Sequence, residues 1–107
     1  MTDVSAVPAV LAVLADDTRW RILTELGSQD LSASALAGRM PVSRQAIAKH
    51  LAVLSDAGLV EPVRAGREIR YRALGARLSA LAVELDRIAQ LWDRRLDAIK
   101  RIAEGLP

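Results

Sequence analysis

The sequence predicts a mainly helical domain with one small β-hairpin, in the order α-α-α-α-β-β-α, and three observations carry that prediction. Two short helical segments meet at Met40-Pro41-Val42, where proline cannot continue the hydrogen-bond ladder of the first. The Arg-rich stretch Glu61-Pro-Val-Arg-Ala-Gly-Arg-Glu-Ile-Arg-Tyr-Arg72 reads as two paired strands around Ala65-Gly66. From about Gly75 onward, apolar residues recur every three or four positions, the period of one helix face.

Each element has its own local cause. Pro8 fits a first helical turn, and Val7, Val10, Leu11 and Leu14 give the first helix an apolar stripe ending near Ala15. Asp16 or Asp17 caps the second, in which Ile22, Leu23 and Leu26 face inward and Gly27 ends the run. Ser32 caps a third helix through about Arg39, with Leu36 and Ala37 inward. Ser43 caps the fourth, where Ile47, Leu51 and Leu54 recur at four and three, and Gly58 supplies a left-handed stop. Leu59 to Arg64 and Glu68 to Ala73 pair as strands, with Ile69 and Tyr71 on one face and Glu68, Arg70 and Arg72 on the other. Leu78, Leu81, Leu85, Ile88, Trp92, Leu96, Ile99 and Ile102 or Ala103 then mark a terminal helix. At about thirty residues it would be roughly 45 Å long, more than so small a domain covers alone. Its free length is expected to meet a partner helix. The expectation is one domain over residues 1–107, with terminal dimerisation helices at about 6–15 and 75–104.

Charge is unevenly spread. Residues 1–38 hold two Arg against five acids, residues 39–72 hold seven Lys or Arg against three acids, and residues 73–107 hold six against five. The basic excess therefore falls on the third and fourth helices and the hairpin. There is no Cys and a single His, which excludes disulfides, thiolate metal sites and cysteine redox switches and leaves His50 unable to make a zinc site alone. The uncharged run Val4 to Ala15 is short, contains Pro8 and follows Asp3, so neither export nor membrane spanning is expected, and the chain reads as cytoplasmic. Gly-rich phosphate loops and Ser-His-Asp or Cys-His sets are missing, and Asp16, Asp17 and Glu25 are explained by helix starts and exposed faces, so catalysis is not expected.

The fourth helix divides its labour. With Ile47, Leu51 and Leu54 inward, Arg44, Gln45, Ala48 and Lys49 share an outer face near the N-terminus. A DNA major groove admits one helix, Arg suits guanine and Gln suits adenine, and the helix start favours phosphate. On an isolated helix these would be ordinary solvated residues; the preceding helix, the Pro turn and the basic hairpin together point to duplex DNA. For Arg64 and Arg67 at the hairpin tip a phosphate role is expected, and for Arg70 and Arg72 a charged edge that discourages aggregation serves as well. His50 reads as a packed or phosphate-touching residue rather than a switch, and Trp20, Tyr71 and Trp92 as packing residues rather than base-stacking or effector-lining ones.

At Leu14-Ala-Asp-Asp-Thr-Arg-Trp-Arg-Ile-Leu23, Val42-Ser-Arg-Gln-Ala-Ile-Ala-Lys-His-Leu-Ala-Val-Leu54, Ala57-Gly-Leu-Val60 and Gly66-Arg-Glu-Ile-Arg-Tyr71, the sequence resembles the ArsR/SmtB family of winged helix-turn-helix bacterial repressors. The resemblance covers roughly residues 8–74. It implies operator readout by Ser43, Arg44, Gln45, Ala48 and Lys49, backbone contact by Arg64 and Arg67, and a two-fold dimer through Val10, Leu14, Leu81, Leu85, Ile88 and Trp92. Metal-sensing members place Cys pairs where this chain has Ala33-Ser-Ala-Leu36, or Asp and His ligands on the last helix, where Leu81 to Leu96 holds no His. No metal or other cofactor is therefore expected, and the resemblance is to the branch that does not sense metals. Ala48 stands where the family often has Ser. The resulting expectation is a homodimeric repressor, often of its own operon in that branch, on a palindromic operator. The rivals are a protein-interaction module and an architectural protein without sequence preference. No residue names an inducing signal.

Overall fold

The computed structural model describes residues 7–105. The expected start of the first helix at about residue 6, like the beginning of the uncharged run at Val4, lies outside the described residues. Five helices and three strands follow in order: α1 (Val7–Leu14), α2 (Asp17–Leu26), β1 (Leu31–Ser32), α3 (Ala33–Arg39), α4 (Arg44–Asp56), β2 (Val60–Ala65), β3 (Glu68–Ala73) and α5 (Gly75–Ala103).

Caps set most of these boundaries. Asp16 accepts from the Arg19 N–H at 3.0 Å, Ser32 from Ala35 at 3.0 Å and Ser43 from Ala46 at 3.1 Å, each satisfying an amide that the first helical turn leaves without a partner. At the end of α4, Gly58 takes φ +75, its N–H donates to Ser55 at 3.0 Å and Leu59 N–H reaches back to Leu54 at 2.9 Å. This is the Schellman arrangement, with Leu59 and Leu54 in the core as its apolar partners. Gly27 behaves otherwise. Its φ is −65 and its N–H bonds Thr24 at 3.2 Å, so α2 ends by tightening its last turn rather than by a left-handed residue.

The hairpin is one part of a larger sheet. β1, which the sequence pattern did not reveal, pairs antiparallel with β3 at Leu31↔Tyr71 and Ser32↔Arg70, giving the order β1-β3-β2. β2 and β3 pair from Val60↔Ala73 to Ala65↔Glu68, which leaves Gly66-Arg67 as the two-residue loop, one position later than Ala65-Gly66. Gly66 has φ +65 and Arg67 does not share a positive φ, the pattern of a type II′ hairpin turn with glycine first. The shift puts Arg67 at the tip itself.

Ile22, Leu36, Ile47, Leu51, Leu54, Leu59 and Val60 are the fully buried centre, ringed by Val10, Leu14, Leu23, Leu26, Leu31, Met40 and Leu81. The core is thus assembled from α1 to α4 and the base of the sheet, while α5 contributes only Leu81 and, partly, Leu78. Leu74 N–H donates to Leu59 at 2.8 Å and fixes where α5 leaves the hairpin. The 29-residue α5 then runs past the core. A radius of gyration of 18.9 Å, against about 13 Å for a compact chain of this size, and a 68 Å long axis follow from it. None of the described helices is long and apolar enough to cross a membrane.

Candidate nucleic-acid interface

Helix α4 fixes the site because its two faces have different owners. Ile47, Leu51 and Leu54 are held in the core, so Ser43, Arg44, Gln45, Ala48 and Lys49 are turned to solvent. The Ser43 hydroxyl oxygen already accepts from Ala46, which leaves its O–H to donate outward, toward an oxygen such as that of a phosphate.

A groove of about 840 Å³ lies between the start of α4, the start of α3 and the hairpin. Arg44, Gln45 and Ala48 form one wall and Arg67 the other, so four of the seven residues expected to touch DNA line one concavity. The remaining three lie beside it. Ser43 precedes Arg44 as the cap, Lys49 is exposed one turn beyond Gln45, and Arg64 is exposed on β2 opposite Ile69. The sequence pattern had not placed Ser34, Glu68, Ile69 or Tyr71 in the site, yet all four line the groove. Tyr71 and Ile69 share the strand face that alternation set apart from Glu68, Arg70 and Arg72; Ile69 is 43% exposed because that face opens toward the groove at the tip.

The wing's four arginines divide in two. Arg72 is held by Asp30, its Nη2 2.8 Å from Oδ2, and the carboxylate pushes the Arg72 pKa up from its ordinary value. Arg70 Nε donates to Glu68 at 2.9 Å. Among the described residues, Arg44, Lys49, Arg64 and Arg67 have no carboxylate within ion-pair distance. These four cations remain for an external anion, and duplex DNA presents phosphates at closely repeated intervals.

His50 Nδ1 stands 3.9 Å from Asp16 Oδ1, joining α4 to the start of α2. The Arg19 N–H bond, foremost, holds the Asp16 carboxyl below its ordinary pKa. A pair does not make a metal centre: among the described residues no three of His, Cys, Asp and Glu converge. The Ala33–Leu36 segment offers no thiolate, and on α5 there is no His, Glu84 is engaged by Arg87 and Asp86 by Gln90, so neither of the two ligand sets that the resemblance implies is matched by the residues at those places.

The residues expected at a dimer contact fall into two groups. Val10, Leu14 and Leu81 are buried within the protomer's own core, whereas Leu85, Ile88 and Trp92 are 45%, 43% and 56% exposed along α5. Leu91, Leu96, Ile99 and Ile102 extend that exposed apolar surface, and the Arg95 guanidinium lies 5.7 Å from the Trp92 ring centre.

Residues 14–63 match the family described as a helix-turn-helix domain. Over 92 residues the chain is 37% identical to the HTH-type transcriptional regulator Rv2034 of Mycobacterium tuberculosis, covering 86% of this chain and 83% of the relative. With the HTH-type transcriptional regulator CmtR of the same species it shares 32% identity over 102 residues, 94% of this chain and 86% of the other. The solved structure of an ArsR-like transcriptional regulator from Rhodococcus sp. RHA1 superposes with a TM-score of 0.80 at 64% identity, covering 92% of this chain and 93% of that one. With a capped recognition helix, a basic wing and these likenesses, the chain belongs to the ArsR/SmtB family of winged helix-turn-helix proteins, DNA-binding transcriptional regulators rather than enzymes.

Proposed function

We propose that two copies of this chain form a metal-independent repressor that binds an inverted-repeat operator, including one ahead of its own gene. The observation that carries the reading is the groove in which Arg44, Gln45 and Ala48 face Arg67 across open space. Ser43 donates to phosphate, Arg44 and Gln45 read base edges, Ala48 lets the helix approach closely, and Lys49, Arg64 and Arg67 neutralise flanking phosphates. A dimer seated there excludes polymerase from the same duplex. Dimerisation is supported by the exposed seam Leu85, Ile88 and Trp92, which continues along α5 from the core that buries Val10, Leu14 and Leu81. A two-fold axis then sets two recognition helices about one DNA turn apart, roughly 34 Å, so the operator is palindromic. The one domain spans residues 1–107, with terminal helices for pairing, and works in the cytoplasm on the nucleoid. Metal independence is supported by a chain with no Cys and one His.

Fluorescence anisotropy tests this. The purified protein is titrated onto the duplex immediately upstream of its gene and onto a scrambled duplex, with and without chelator, at about 150 mM salt. A preference of tens-fold or more that chelator leaves alone is the expected result. Equal binding to both duplexes points to the architectural alternative, and binding to neither overturns the operator reading.

A further inference from the structure

We propose that Glu68 limits the protein's sequence-independent grip on DNA: at the rim of the groove that receives the duplex, it occupies Arg70. The inference rests on the reading of that groove as the DNA interface.

The two ion pairs of the wing do different jobs. Asp30–Arg72 joins the segment before β1 to β3 across 42 residues, with both carboxylate oxygens within 3.3 Å of the guanidinium. It ties separate parts of the chain together. Glu68–Arg70 joins two residues on the same strand and the same face, so it fastens nothing that the β2–β3 ladder does not already hold. Both its side chains are about half exposed, at 48% and 49%. Exposed pairs of this kind contribute little to stability. The fold gives Glu68 no task that a neutral residue of the same shape would fail to perform.

Its location gives it one. Of the ten residues lining the groove, Glu68 is the only acid, and it sits beside Arg67 and across from Arg44 and Gln45. Phosphate contacts supply nearly all of the affinity for arbitrary DNA and carry no sequence information. Bound to Glu68, Arg70 is withheld from phosphates, and the two charges offset each other. The wing therefore presents Arg64 and Arg67 as cations while Arg70 is neutralised in place. Less protein is then held on the very large excess of non-operator DNA that any chromosome offers.

The test uses the full-length protein and a labelled random-sequence duplex, followed by anisotropy from about 50 mM to about 200 mM salt. Glu68→Gln keeps the shape and removes the charge. It is expected to bind about two- to fivefold tighter, the range of an exposed charge pair, with a log–log salt slope steeper by about 0.9 per protomer. Arg70→Ala alone is expected to change little, because Glu68 already holds that side chain. In the Glu68→Gln background the same Arg70→Ala change is expected to cancel the gain. Unchanged or weaker binding by Glu68→Gln overturns the proposal, as does an Arg70→Ala loss of equal size in both backgrounds. Arg44→Ala and Arg67→Ala run alongside. If they bind as the unaltered protein does, or that protein ignores the duplex, the interface itself is misplaced; if they weaken and Glu68→Gln does nothing, only the role of Glu68 falls. Melting of each variant, expected to match the unaltered protein, separates these results from loss of fold.

Discussion

Replacing Arg67 with Ala removes a tip cation that has no carboxylate partner among the described residues, so the change costs the isolated protein almost nothing and the complex one phosphate contact per protomer. In the proposed dimeric complex the wing enters twice. Each lost contact lowers the magnitude of the log–log salt slope by about 0.9, hence by about 1.8 for the dimer. Between about 50 mM and about 200 mM salt, a fourfold change, the gap between the two proteins closes by roughly twelvefold. The deficit of the variant is thus largest at low salt and shrinks steadily as salt rises. Anisotropy titrations at four or more salt concentrations, on the upstream and scrambled duplexes in parallel, give both slopes. The two duplexes are expected to lose affinity alike, since phosphates are the same in each. Parallel lines for the variant and the unaltered protein, at any vertical offset, would refute the phosphate role of Arg67; a loss confined to one sequence would move it to base readout.

Other expectations follow from single contacts. Gln45→Ala costs about 1–3 kcal/mol on the preferred duplex and little on scrambled DNA, measured as a fall in the ratio of the two affinities. Gly58→Ala forces a Cβ into a backbone with φ +75 and to 2.6 Å from Arg77 Nε, and urea unfolding is expected to show a loss of about 1–2 kcal/mol. Asp16→Asn preserves the cap acceptor but removes the charge. The folded state holds the Asp16 pKa below its ordinary value of 3.8, so its contribution is complete above that value and disappears as pH falls through the lower, folded one. The variant is therefore less stable than the unaltered protein at pH 7, and the difference in melting temperature vanishes in acid. Ile88→Glu places a charge in the exposed seam of α5 and is expected to shift sedimentation toward the monomer while leaving the helical circular dichroism of α1 to α4 intact.

What the sequence made legible were features written within a few residues. The Ile47-Leu51-Leu54 stripe, the Ser43 cap and the Gly58 stop are local, and α4 lies where they put it. Its outer face follows automatically, which is why Arg44, Gln45 and Ala48 could be named before any geometry. β1 was not legible: two residues carry no alternation, and Leu31 becomes a strand only by meeting Tyr71, forty positions away. The Asp30–Arg72 pair hid for the same reason. At the hairpin the missed signal was Gly66, whose need for the first loop position shifts the turn by one residue. The apolar period along α1 and α5 marked Val10, Leu14 and Leu81 together with Leu85, Ile88 and Trp92, but a period states only that a face needs cover. That the chain's own core covers the first three emerges from packing.

Ser32 belongs to two structures at once. It is the last residue of β1, opposite Arg70 on the central strand of the sheet, and its hydroxyl caps α3, which packs on α4. Ser32 therefore links the central strand of the wing to the helix that packs on α4, beside the core that both share. To the extent that this linkage resists opening, a duplex seated in the proposed interface would have to bend to fit it, and bending and groove-width costs depend on base steps that no side chain touches.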